Sequence, residues 1–156
     1  MTTLCLDFGN SRLKAAVFND AKLVEDFAFN DEPITQIQNL IDQFHPSKSV
    51  LASVINHDNN IEILLSNHTR FHKVSHLSKL NFSFGVTKPE SIGCDRLALL
   101  AAAAEHFPHK NNLIIGIGSC ITYNFINQKQ EFLGGSISPG MEMRFKAMHE
   151  FTAKLP

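Results

Sequence analysis

The segments LCLDFGNSRLKAAVF, beginning at Leu4, and NLIIGIGSCITYNFI, beginning at Asn112, share one pattern: an apolar strand, a glycine turn, and a second apolar strand. A repeated supersecondary unit constrains a fold more than any single element does. Aligning the two sets Asp7 opposite Gly116, Gly9 opposite Gly118 and Ser11 opposite Cys120. The second copy begins near Asn111 and has about 45 residues in which to finish, against roughly 110 for the first. The expected organisation is therefore a duplicated unit, 1–110 followed by an incomplete 111–156. A half-built sheet leaves apolar faces and unpaired edges that a partner subunit or further chain must cover.

The remaining elements follow from spacing. Thr3 to Asp7 and Leu13 to Phe18 read as the strands of the first hairpin, and Lys22 to Phe29 as a third strand. Asp31 before Pro33 is a helix start signal, with Ile34, Ile37, Ile41 and Phe44 on one face of the helix that follows. Ser49 to Ile55 reads as a strand, followed by a short helix containing Ile61, Leu64 and Leu65. The order βββαβα predicts an α/β fold with a mixed sheet. Phe71 to Pro89 reads as irregular, and a helix with an Ala-rich body is predicted from near Ser91 to Phe107.

A chain of 156 residues, 44% hydrophobic and 19% charged, can bury an ordinary core. The net charge of -1 supplies no basic footprint for nucleic acid or an anionic membrane surface. No apolar run approaches the ~20 residues that span a bilayer, and no signal segment opens the chain, so a cytoplasmic location is expected. Cys5, Cys94 and Cys120 are odd in number and set among apolar residues, which predicts reduced thiols and no disulfide framework. His68 and His72 have helical metal-pair spacing, but no nearby acid or cysteine completes a ligand set. Lys73, Lys79 and Lys88 read as solvated cations.

Three constellations carry chemistry. In Asp7-Phe8-Gly9-Asn10-Ser11-Arg12-Leu13-Lys14, a glycine turn admits polyphosphate close to the backbone, Lys14 adds a cation, and Asp7 can hold Mg²⁺. An ordinary bulged hairpin with a turn Asp is the alternative. In Gly93-Cys94-Asp95-Arg96, a carboxylate and a guanidinium fork at a helix start offer a proton acceptor beside a carboxylate clamp. A first-turn Asp favoured by the helix dipole, with Arg96 solvated, is the alternative there. Gly134-Gly135-Ser136-Ile137-Ser138-Pro139-Gly140 allows close backbone approach, or is a plain loop, before an amphipathic helix carrying Met141, Phe145, Met148 and Phe151.

Taken in order, these motifs resemble the type III pantothenate kinases, also called the Bvg accessory factor family. The correspondence is Asp-x-Gly-Asn-Ser-x-x-Lys, Gly-x-Asp-Arg before an Ala-rich helix, Gly-Ser/Thr-x-x-Thr in a later strand, and Gly-Gly-x-Ile-x-Pro-Gly followed by Thr-Ala-x-Leu-Pro. It covers essentially the whole chain, whereas such enzymes continue for roughly a further 90 to 100 residues. The resemblance implies the actin-like ATPase fold shared by acetate and sugar kinases, Hsp70 and actin. It implies ATP-dependent phosphorylation of pantothenate to 4′-phosphopantothenate, the first step of coenzyme A synthesis, by a cytoplasmic homodimer. Asp7 through Lys14 and Ser119 would contact ATP and Mg²⁺. Asp95 would be the catalytic base, with Val86, Gly93, Cys94, Asp95 and Arg96 holding pantothenate.

The chain departs from that pattern at three positions. Gly116 stands where the family has an Asp that binds an activating monovalent cation, K⁺ or NH₄⁺, and a glycine has no side-chain oxygen. Asn124 replaces a second acid, and Val86 replaces an aromatic platform for pantothenate. The competing reading is a catalytically impaired relative that serves as a nucleotide-binding or regulatory protein. A sugar or acetate kinase of the same superfamily is a third, disfavoured by the Asp-Arg pair before the Ala-rich helix.

Overall fold

The computed structural model describes residues 1–30 and 32–155. The chain divides into two compact units, 1–77 and 78–156.

In the first unit, β1 (Thr2–Phe8), β2 (Leu13–Asn19) and β3 (Lys22–Ala28) form an antiparallel meander. α1 (Pro33–Phe44) leads to β4 (Lys48–Ser53), and α2 (Asn59–His68) leads to β5 (Arg70–Lys73). The sheet order is β3-β2-β1-β4-β5, with β4 parallel to both β1 and β5. Strand alternation sends Leu4, Leu6 and Phe8 to one face, where they meet Ile37, Leu40 and Ile41 of α1 and Ile61 and Leu65 of α2 in one core. Each such side chain contributes about 1.5 to 3 kcal/mol when fully buried. Asp7 lies on the other, exposed face.

The Asp31 start signal lies outside the described residues. α1 opens with Pro33 in its first turn, where the missing N–H costs no helical bond, and Glu32 at the cap makes no side-chain capping bond. α2 is capped through its own sequence: the Asp58 carboxylate accepts from the Asn60 amide at 2.9 Å.

The second unit holds β6 (Ser83–Phe84), a 3-10 turn (Pro89–Ser91), α3 (Cys94–His106), β7 (Asn112–Ile117), β8 (Cys120–Ile126), β9 (Glu131–Pro139) and α4 (Met141–Glu150). Its sheet order is β6-β9-β8-β7, antiparallel except for the β6–β9 pair. The βββα order of the first unit thus recurs in β7, β8, β9 and α4, as the repeat predicts. The two turns differ: Gly9 to Arg12 separates β1 from β2, whereas only Gly118 and Ser119 separate β7 from β8, so Ser11 lies in a turn while Cys120 is already in a strand.

Three expectations need correction. The stretch read as irregular contains β5 and β6, short strands specified by the neighbours they pair with, β4 and β9. The Ala-rich helix starts at Cys94, because residues 89–91 form a separate 3-10 turn. Gly134 to Pro139 is not a loop but the second half of β9, with Gly134 at φ +130 beside an irregularity in its pairing with β8. The helix that follows keeps no apolar side chain buried: Met141, Phe145 and Met148 are all exposed.

Polarity is also distributed unusually across this second sheet. Thr122, Asn124 and Ile126 of β8 are buried on one face. Leu113, Ile115 and Ile117 of β7, paired with Phe125, Tyr123 and Ile121, line the opposite, exposed one. No helix of the described residues is long and apolar enough to cross a membrane. No disulfide forms among the described residues, and burial pushes the Cys5 thiol up.

Candidate functional site

The first site element is the hairpin end of the first unit. Strand β1 stops at Phe8, whose ring is fully buried, and β2 resumes at Leu13, which packs against the same core. Between them the amide of Gly9 donates to the carbonyl of Arg12 at 3.1 Å, closing a turn whose Asn10, Ser11 and Arg12 are exposed. A Cβ on Gly9 would meet nothing nearer than that carbonyl at 3.5 Å, so the backbone here is open to an approaching ligand. Asp7 and Lys14 are directly opposed in the β1–β2 register, which sets a carboxylate and an ammonium on one exposed face beside the turn. Phe8 and Leu13 therefore serve the turn through their backbones, with their side chains in the core.

This arrangement suits a Mg²⁺-polyphosphate. Magnesium is commonly held by one or two carboxylates and keeps its waters, so it needs no protein cage. Among the described residues no group of three or more His, Cys, Asp or Glu could enclose a metal. His68 ends α2 and His72 lies in β5, so they share no helix; His68 Nδ1 is hydrogen-bonded to the carbonyl of Leu64 at 2.9 Å.

The second site element lies in the second unit, at the start of α3. Gly93 caps the helix with extended ψ, and its carbonyl accepts from the Leu97 amide at 3.1 Å. Asp95 sits in the first turn, half-buried and without an ion pair among the described residues. Arg96 is turned onto the sheet. Its Nε donates to Oδ1 of the fully buried Asn124 at 2.6 Å, and its guanidinium lies 5.9 Å from the centre of the Phe132 ring. Charge-assisted bonds of this kind outweigh neutral ones roughly twofold. A Cβ on Gly135 would fall 2.8 Å from Arg96 Nη2 and 2.0 Å from the Tyr123 carbonyl, so the glycine of β9 makes room both for the guanidinium and for its neighbouring strand. Arg96, Asn124 and Gly135 lie in three separate segments of the sequence, and the fold joins them.

Val86 is half-buried, and its Cγ1 would lie 4.0 Å from a Cβ on Gly134. Cys94 is half-buried in the first turn of α3. Ser119 is half-buried in the β7–β8 turn, and its carbonyl accepts from the Gly140 amide at 2.9 Å. A Cβ on Gly116 would meet Thr122 Oγ1 at 2.7 Å and Leu99 Cδ1 at 3.1 Å. That position has neither a side-chain oxygen nor space for one as packed, and so does not fit a side-chain ligand for a cation.

The chain has the α/β architecture of the actin-like ATPase fold, and two solved structures are similar to it. They are the Campylobacter jejuni Baf family protein, with TM-score 0.54 at 23% identity covering 96% of this chain and 60% of that one, and the ethanolamine utilization protein EutJ of Carboxydothermus hydrogenoformans, with TM-score 0.51 at 10% identity covering 100% and 58%. The chain is a member of the type III pantothenate kinase family, whose sequence model matches residues 3–156. It is 41% identical to the type III pantothenate kinase of Christiangramia forsetii and 36% identical to that of Flavobacterium johnsoniae, in each case over 98% of this chain. It spans 64% of the length of both relatives.

Proposed function

We propose that this chain carries the nucleotide- and substrate-handling residues of a pantothenate kinase, which transfers a phosphoryl group from ATP to pantothenate and so opens coenzyme A synthesis. The observation that carries it is the Asp7–Lys14 pair flanking the open Gly9–Arg12 turn, in a chain of this family. Bound ATP with Mg²⁺ supplies the transferable γ-phosphoryl group and a divalent charge. Asp7 holds the metal, Lys14 and the turn amides neutralise phosphate charge, and Ser119 offers a hydroxyl to phosphate. Asp95 accepts the proton of the pantothenate hydroxyl as its oxygen attacks. Arg96, fixed at Nε by Asn124, presents its terminal N–H groups to the substrate carboxylate. Gly93, Cys94 and Val86 wall the same substrate.

On this reading residues 1–110 are one copy of the duplicated unit and 111–156 the start of the second. That division follows the repeat; the compact bodies divide at 77/78. A cytoplasmic homodimer belongs to the same proposal. The monovalent-cation requirement does not, because Gly116 cannot ligate through a side chain.

The packing around Gly116 favours a second reading: a nucleotide-binding or regulatory relative without turnover. A coupled assay with ATP, Mg²⁺ and K⁺ decides between the two. Pantothenate turnover, absent with sugars and reduced about 10²- to 10⁴-fold in Asp95→Asn, supports the kinase. Folded protein that binds Mg·ATP yet turns over neither substrate supports the second reading.

A further inference from the structure

Beneath the phosphate turn lies a polar cluster to which the reaction assigns no role. His57, in the segment between β4 and α2, has a side chain only 7% exposed. Its Nδ1 is 2.9 Å from Ser53 Oγ at the end of β4, and its Nε2 is 2.9 Å from Glu62 Oε1 on α2. The same Glu62 oxygen accepts from Lys73 Nζ of β5 at 2.6 Å. The imidazole ring stands edge-on to Phe8, 5.6 Å between centres at 85°, and Phe29 makes a similar contact with Phe8 at 6.3 Å and 82°. Phe8 is the last residue before the turn. Its carbonyl accepts from the Val54 amide at 3.0 Å, and it is opposed by Ser53 on β4 and Leu13 on β2.

A ring held at both nitrogens has one orientation, and a buried polar cluster with its partners in place rigidifies what it touches. We propose that His57 is a positioning residue for the Gly9–Arg12 turn: held between Ser53 and the Glu62–Lys73 pair, it fixes the Phe8 ring and hence the direction in which the turn presents its amides. The proposal deepens the nucleotide reading and rests on it. The function gains because a site already rigid in its binding geometry loses less entropy when the ligand arrives.

The test uses the 156-residue chain. Hydrogen exchange at the Gly9 and Val54 amides is read without nucleotide, and affinity for the non-hydrolysable analogue AMP-PNP with Mg²⁺ is read by titration calorimetry. His57→Ala is expected to speed exchange at both amides about tenfold and to weaken AMP-PNP about tenfold at unchanged stoichiometry. A merely structural defect would lower the stoichiometry and leave the affinity of the folded fraction alone. His57→Gln, whose amide reaches toward Glu62, is expected to recover part of both effects, and it replaces the alanine variant if that one does not fold. Ser49→Ala, which breaks the part-buried 2.6 Å Ser49–Thr69 contact elsewhere on β4, is expected to lower stability without changing turn exchange relative to the rest of the unit. Exchange and affinity within about twofold of wild type in the His57 variants overturn the proposal. Failure of the wild-type chain to bind AMP-PNP overturns the nucleotide reading instead, and the exchange measurement still decides whether His57 holds the turn.

Discussion

Arg96 Nε and Asn124 Oδ1 are 2.6 Å apart, although 28 positions separate the two residues along the chain. The bond joins the first turn of α3 to the middle of β8, and the amide that accepts it is completely buried. An acid at this position would neutralise the guanidinium; the neutral amide holds it at Nε and leaves its charge uncancelled.

Removing that amide should therefore cost both stability and recognition. Asn124→Ala leaves a guanidinium donor without its buried acceptor, and the expected loss is about 1 to 3 kcal/mol in urea unfolding. Pantothenate affinity should fall with it, whereas Asn124→Asp should keep stability and weaken the carboxylate ligand by cancelling charge.

Gly135→Ala is expected to be the most damaging of the glycine substitutions in β9 or β7. Its new Cβ would sit 2.0 Å from a backbone oxygen, and a strand cannot yield as a side chain can. Gly116→Ala meets mainly the side-chain hydroxyl of Thr122 at 2.7 Å, so Thr122→Ala should relieve it. A double-mutant cycle on thermal unfolding should return a favourable coupling of about 0.5 to 3 kcal/mol for 116 with 122.

Asp7→Asn should separate binding from folding. The side chain is exposed on the face away from the core, so the unfolding free energy should stay within about 0.5 kcal/mol of wild type. Affinity for Mg·ATP should drop about tenfold or more, measured by calorimetry. Equal affinity in the variant would remove Asp7 from the metal site.

Acid should loosen the first unit through Glu62. The Lys73 ammonium holds its carboxyl below the ordinary glutamate value of 4.5; burial opposes this less strongly, and His57 adds a smaller lowering. A depressed folded-state pKa stabilises the protein above the unfolded value, and that contribution is lost as pH falls through the folded pKa. Stability should thus decline below about pH 4.5, and Glu62→Gln should flatten the decline in pH-dependent urea unfolding. An unchanged acid limb in the variant would remove Glu62 from that role.

The sequence by itself determined the elements whose signals are local. Alternation in Leu4, Leu6 and Phe8 marks a strand with one buried face, the spacing of Ile37 and Ile41 marks a helix stripe, and the glycine turn between two apolar runs marks a hairpin. The recurrence of that hairpin at β7 and β8 made the duplicated order visible, and the motifs named the family, because both are written in contiguous residues. Tertiary structure decided the rest. Gly134 to Pro139 has the composition of a loop and became a strand because β8 supplies its ladder partners. The short β5 and β6 have too few residues to show a period and exist through β4 and β9. Arg96 found Asn124, and His57 found Phe8 and Glu62, through chain crossings that no short window records. Periodicity reports which face of an element is apolar; only the assembled sheet determines which polar atom of a distant strand lies within hydrogen-bonding distance.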